Sequence, residues 1–580
     1  VAPSPQSARK TKWLFGASSI VLAVLLLALA FWYLRRPLPP LRVSAYSQIT
    51  HDGHAKYLVA TDGSRLYFNQ VHPRGIAQTA ISRDEIASIP LPLPVATLQD
   101  VSPDGSTLLV WSDDHGHQSL WSSQMPGGSI RRLADSAVWS AAWSPDGKSA
   151  IYSTPDDDIY VVNSDGSGAR KLNSRDDHIG KTPADDLVWS PDGSKIRFIK
   201  DGRIWEMSPD GSGLHQLLPG WHPSERLCCG RWSSNGRFFF FLLTDASANR
   251  LLPGGQLWVL DERESLFRPA TSDPIQIASG PKRWATPLPS KDGKAVFARG
   301  IILRGQLERY DAGSHQMRPW LQGISAEDVS FSPDGKFIAY VTFPQGILWK
   351  ANRDGSNPMQ LTGPPFYPLD PTWSPDGTGI LFFCYEGDGK VRSYTVSSQG
   401  GTPQLLLPED KEQQIDPHWS PDGRKVIFSW PLWTRGNTRD VIRILDLSTR
   451  QVSTVSGSQG VFSPRWSPDG RFIAGMTAAG GITVFDFQTR RWSLLQDGEV
   501  DYPTWSSDSK FVYFVRSLGA PPGVYRVRIS SGRAERVVDL KGFHFTGAVS
   551  LWMGLDPTDT PMLLRDTGSD DIYALSLAQK

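Results

Sequence analysis

The side chains able to do chemistry in this 580-residue sequence are few and widely scattered. Its 11 histidines include two short pairs, His51/His54 and His115/His117, both in segments that read as loops. A close histidine pair could give two ligands to a metal, but protein metal sites normally need three or four. No further His or Cys stands at ligand spacing, so both pairs read as surface residues. Cys228, Cys229 and Cys384 form no CxxC and cannot build a disulfide framework; they read as buried or half-buried thiols on strands. Asp156-Asp157-Asp158 and Asp570-Asp571 lack the DxDxDG spacing of a calcium loop and read as solvated loop acids. A serine peptidase of the propeller-plus-hydrolase kind needs Gly-x-Ser-x-Gly with Asp and His downstream. The sequence contains no such pentapeptide. No catalytic, cofactor-binding or metal-binding residue is therefore expected, and no single binding residue stands out.

Charge excludes another class. Lys and Arg total 60 against 59 Asp and Glu, a formal charge of +1. Phosphate contacts dominate nucleic-acid affinity and call for a basic surplus on some element. The one short basic cluster, Arg9, Lys10 and Lys12, flanks an apolar run instead. Direct binding of DNA or RNA is not expected.

The elements that would position any site announce themselves by repetition. Ser-Pro-Asp-Gly follows Val101, Trp143, Trp189, Phe331, Trp373, Trp419 and Trp466, and an alternating apolar strand follows each copy. Degenerate copies are ATDG at Ala60, SSNG after Trp232, SKDG after Pro289 and SSDS after Trp505, with a decayed one near Gly554. From Thr61 through Ser102, Ser144, Ser190 and Ser233, then Ser290 to Ser506 and on to Gly554, the copies lie 39 to 48 residues apart. One gap of 57, between Ser233 and Ser290, marks an insertion. That period is one four-stranded propeller blade.

The motif is turn chemistry. Proline presets φ, aspartate caps the backbone, and glycine takes the positive φ that closes the hairpin. The large apolar residue before it recurs at one strand end and should pack blade against blade. About twelve blades exceed the four to eight of one ring. The expected fold is all-β, with two propellers of six blades each, or seven and five, behind one transmembrane helix.

That helix is residues 13–34, WLFGASSIVLAVLLLALAFWYL, without one charged side chain. At 1.5 Å per residue it would span roughly 33 Å, close to a hydrocarbon core of about 30 Å. Trp13, Trp32 and Tyr33 suit the two interfaces. A cleaved signal peptide cut near Ala28-Leu29-Ala30 is the rival reading, but the apolar run continues past that point. The expected division is a tail 1–12, the helix 13–34, a Pro-rich linker 35–42, a strand 43–50, a first propeller 51–323 and a second 324–580. The strand 43–50 lacks blade partners of its own, and the C-terminal unit stops one strand short. It is expected to complete the last blade of the second ring, leaving no open sheet edge.

Trp189-SPDGSKIRF to Phe198, Ile159-YVVNSDGSGARKL to Leu172 and Leu348-WKANRDGSNPMQLT to Thr362 resemble the WD40-like repeats of the TolB β-propeller family. Ser47–Gly53 and Tyr57–Phe68 are further similar to the propeller part of bacterial winged-helix regulators held by one transmembrane helix. The resemblance implies a membrane-anchored envelope module for binding, sensing or protein contact, on the outer face of a bacterial inner membrane and without catalysis. The regulator likeness implies a sensor half whose DNA-binding domain is missing here. A propeller enzyme acting on peptide or glycan is the other reading.

Overall fold

The computed structural model describes residues 39–579 apart from 72–73, 83–84, 115–116, 126–127, 174–181, 224, 245–253, 264–272, 279, 281, 322–323, 387–389, 411, 430–440, 478–479, 499, 517–520 and 547–551. The tail 1–12, the expected membrane helix and the start of the linker lie outside these residues. Among the described residues no helix is long and apolar enough to cross a membrane. Every regular element described is a strand, and all of them fall into four-stranded antiparallel sheets.

Contacts divide the chain into two units, one of residues 39–244, 254–300 and 570–579, the other of 301–569. In the first, the innermost strands are Lys56–Thr61, Ala96–Val101, Ser140–Trp143, Asp185–Trp189, Arg226–Trp232 and Arg283–Pro289. Each packs against the next, and the last packs back on the first. The second unit repeats this with Ala326–Phe331, Leu369–Trp373, Ile415–Trp419, Val461–Trp466, Asp501–Trp505 and Met553–Leu555, again closed last to first. Each unit is thus a closed ring of six blades.

The turn after each inner strand does what its residues dictate. In the third blade Ser144 Oγ donates to Asp146 Oδ1 (2.7 Å). That carboxylate oxygen takes the Lys148 N–H (3.1 Å), and Ser144 Oγ takes the Ser149 N–H (3.0 Å). Gly147 sits at φ 69°, where a side chain would strain the backbone. The pattern recurs at Asp192, Asp334 and Asp422. The tryptophan before the turn packs on the preceding blade: Trp143 among Leu109 and Leu120, Trp373 among Ala339 and Leu348.

Both rings close with strands from distant segments, and here the sequence-based division needs correcting. The sixth sheet of the first ring runs from Arg283–Pro289 through Ala295–Ile302 and Ser569–Gln579 to Leu41–Gln48. That of the second runs from Met553–Leu555 through Pro561–Asp566 and Gly305–Asp311 to Gln316–Pro319. The N-terminal strand therefore lies in the first ring's closing sheet, not the second's. The units part at Gly300/Ile301, not near Gly323. The reason is competition for an edge. Gly305–Asp311 already covers the outer side of Pro561–Asp566, with Arg565 Nε on Glu308 Oε1 (2.8 Å) and Arg309 Nη2 on Asp556 (2.6 Å). The last strand instead finds the open edge of Ala295–Ile302, where Arg299 pairs with Asp570.

Candidate functional site

The innermost strand of most blades carries a bulge just before the turn of the Ser-Pro-Asp-Gly kind, and the bulge residue has positive φ. In the second ring these residues are Asp328, Asp370, Asp416, Ser463 and Tyr502, at φ 50–51°. Each stands three places before the Phe or Trp that precedes the turn. A bulge breaks the in-and-out alternation of a strand and re-aims a side chain. On inner strands of a closed ring it aims several side chains at one place, the channel.

The groups gathered there are ionisable. Arg465, 8% exposed on the fourth blade, reaches Asp370 Oδ2 on the second at 2.6 Å. Asp328 Oδ2 on the first blade takes the Asp370 N–H (3.0 Å), which ties neighbouring blades together. Burial works against the Arg465 charge, but Asp370 and Asp416 outweigh it and its pKa rises. Burial pushes Asp416 up to about 6, against the opposing pull of Arg465. Burial, then Glu327 and Asp370, raises Asp328 well above the usual carboxylate range. His418 is pushed down to about 4 by burial and by Arg465. Burial and the same carboxylates raise the Tyr502 phenol. Burial thus favours the protonated form in part of this carboxylate set, so the cluster around Arg465 can donate as well as accept hydrogen bonds.

The first ring has a related set. Asp186 takes the Cys229 N–H (2.7 Å) and lies 3.8 Å from Arg231, and burial followed by Asp186 lifts Asp185 to about 7. Trp139 beside them is 53% exposed. A bulge with φ 63° at Cys229 brings Cys228 and Cys229 together. A hydrogen bond to Cys228, then burial, holds the Cys229 thiol well above its usual range, which disfavours the reactive thiolate.

The residues singled out by sequence fall elsewhere, apart from Cys228 and Cys229 on an inner strand of the first ring. His51 and His54 lie in the loop between Leu41–Gln48 and the first blade, His117 opens a strand, and His115 is outside the described residues. Cys228 and Cys229 are half-buried and Cys384 buried, all on strands. The two acid runs are not simply solvated. Asp157 pairs with Lys200 and Asp158 with Lys171 (2.6 Å), while Asp570 and Asp571 are 9% and 3% exposed in the closing sheet. Among the described residues no three His, Cys, Asp or Glu are grouped to hold a metal. The channel residues were missed although a signal exists: a polar residue recurs third before the aromatic, four times followed by proline, after Asp370, Asp416, Ser463 and Tyr502.

The family model for the TolB β-propeller domain matches residues 390–551, within the second ring. Over 223 residues the chain is 24% identical to the uncharacterized peptidase YuxL of Bacillus subtilis, covering 37% of this chain and 31% of that protein. Over 293 residues it is 27% identical to dipeptidyl-peptidase 5 of Porphyromonas gingivalis, covering 44% and 38%. The chain thus spans 31–38% of the length of these curated relatives. Among solved structures, a putative TolB from Agrobacterium tumefaciens aligns over 46% of this chain and 98% of its own, with 21% identity and a TM-score of 0.38.

Proposed function

We propose that this protein is a binding and protein-interaction module, tethered to a bacterial inner membrane by residues 13–34, with its rings on the periplasmic side. The observation that carries the reading is the second ring's channel, where Asp328, Asp370 and Asp416 converge with the buried Arg465. Such a preformed, buried polar cluster on the inner strands of a rigid ring suits recognition of a peptide or side chain presented to it. The TolB-type match fits a protein-interaction module. The anchor rests on the charge-free apolar run alone.

A photo-crosslinking residue in place of Tyr502, used in intact cells, tests it. The expected result is one envelope protein joined to the chain, with capture strongly reduced by Asp370→Asn. Capture unchanged by that substitution would remove the channel from the reading.

A second reading is favoured by the peptidase names of both curated relatives, namely that the rings serve peptide hydrolysis. Against it, no Gly-x-Ser-x-Gly is present in these 580 residues. Turnover of peptides by the purified chain would decide for the enzyme.

A further inference from the structure

The closing sheet of the first ring is held at two depths. The deep part is the segment after the N-terminal strand. Ile49, Thr50 and Lys56 are 7%, 0% and 0% exposed. Thr50 Oγ1 donates to Asp571 Oδ1 (3.1 Å), as does the Gly53 N–H (3.2 Å). Lys56 Nζ donates to Asp52 (2.5 Å), to the His54 carbonyl (2.6 Å) and to the Asp570 carbonyl (3.0 Å). This segment, without the strand before it, joins the first blade to Ser569–Gln579.

The shallow part is the strand Leu41–Gln48 itself. It is eight residues long, whereas the other outer strands of this ring have two to five. Yet only Leu41 is buried, and residues 44 to 48 are all exposed. Its side chains touch the sheet at few points. Ser44 Oγ reaches the Ser576 carbonyl (3.2 Å), and Gln48 reaches Asp571 (3.1 Å). Tyr46 stacks on Trp284 at 5.7 Å, and Trp284 meets Tyr573 edge-on. Tyr573 Oη donates to Gln48 Oε1 (3.2 Å), and the rest of the hold is antiparallel backbone pairing, Val43 facing Leu577 and Gln48 facing Tyr573.

From this contrast we infer that Leu41–Gln48 is a releasable strap, and that the edge it covers accepts an extended peptide segment carrying an aromatic residue at the Tyr46 position. Release needs no opening of the ring, because the deep contacts begin at Ile49. It uncovers the unpaired backbone groups of Ser569–Gln579, a template for strand addition. It also empties the aromatic seat on Trp284 and the buried seat of Leu41, while the seats from Ser44 onward, Tyr46 apart, face solvent and ask little of a partner. Locally weak elements with few buried contacts are those that open first. The inference is independent of the channel reading and holds whether the rings bind or catalyse.

The full chain with Val43→Cys and Leu577→Cys tests it, since oxidation ties the strap down and reduction frees it. The probe is a labelled peptide of sequence LRVSAYSQ, with an Ala-for-Tyr version as control. The reduced chain is expected to take up the peptide about tenfold or more tightly than the oxidised chain, and the Ala version weakly. Hydrogen exchange on the unsubstituted protein provides a readout that needs no cysteine. Amides of 41–48 are expected to exchange about a hundredfold faster than those amides of 570–578 that point to Ala295–Ile302. Equal exchange in the two strands overturns the strap. Peptide uptake that is absent, or indifferent to oxidation, overturns the acceptor edge.

Discussion

Asp416 and His418 stand two residues apart on the third inner strand of the second ring, and their titrations pull stability in opposite directions. A free aspartate titrates near 3.9 and Asp416 at about 6, so between these values the folded protein holds the extra proton. Its contribution to stability therefore falls as pH rises through that window. His418 is the reverse: near 6.5 when unfolded and about 4 when folded, it stays neutral in the folded state while the unfolded chain is charged. Its contribution rises with pH over the same range. Asp416→Asn removes the first effect and leaves the second. Relative to the parent, the variant is expected to gain about 2 kcal/mol of stability at pH 6.5 compared with pH 4.5. Denaturant melts of both proteins at the two pH values, read by tryptophan fluorescence, measure it; equal pH dependence would sink the assignment of this burial. None of this coupling shows in the sequence, because Arg465 is nearly fifty residues from Asp416 and meets it only through the packing of neighbouring blades.

At the scale of elements, the strand rules carried far and then failed at one place. The SPDG copies, the alternation after them and the tryptophan before them are local, and the blades follow them. Ring closure is not local. The short link from Ala295–Ile302 to Gly305–Asp311 reads like any hairpin, yet those strands sit in different sheets. The same holds for Pro561–Asp566 and Ser569–Gln579. What assigns them is long-range chemistry, such as Arg299 with Asp570, that no period reveals. One glycine does mark the first ring's seam. A Cβ on Gly300 would lie 2.7 Å from the Tyr573 ring and 3.2 Å from Trp284. Gly300 therefore lets Trp284 lie across the sheet beneath Tyr573 and Tyr46. Gly300→Val overpacks this row and is expected to destabilise the first ring by about 1–3 kcal/mol. A calorimetric scan in which the variant melts with the parent would show that the row can relax.

For the molecule as a whole, the nesting of one ring within the sequence of the other makes their folding unequal. All 24 described strands of the second ring come from one stretch, 301–569, because its closing sheet joins that stretch's own beginning to its own end. The first ring is interrupted by that stretch, and its closing sheet waits for Ser569–Gln579 at the far end of the chain. Open propellers expose strand edges and the apolar faces of two blades, so closure is where cooperativity is gained. A fragment of residues 303–568 is therefore expected to fold alone, with a cooperative melt and β-type circular dichroism. Residues 39–302 are expected to remain loosely folded, and a peptide of residues 568–580 supplied in trans should restore a cooperative transition. The peptide supplies the Asp570 partner of Arg299 and the backbone edges for two neighbours, so a peptide with Asp570→Ala should restore much less. A cooperative melt of 39–302 without any peptide would mean that five blades and three strands suffice, and that the distant strand adds only local order.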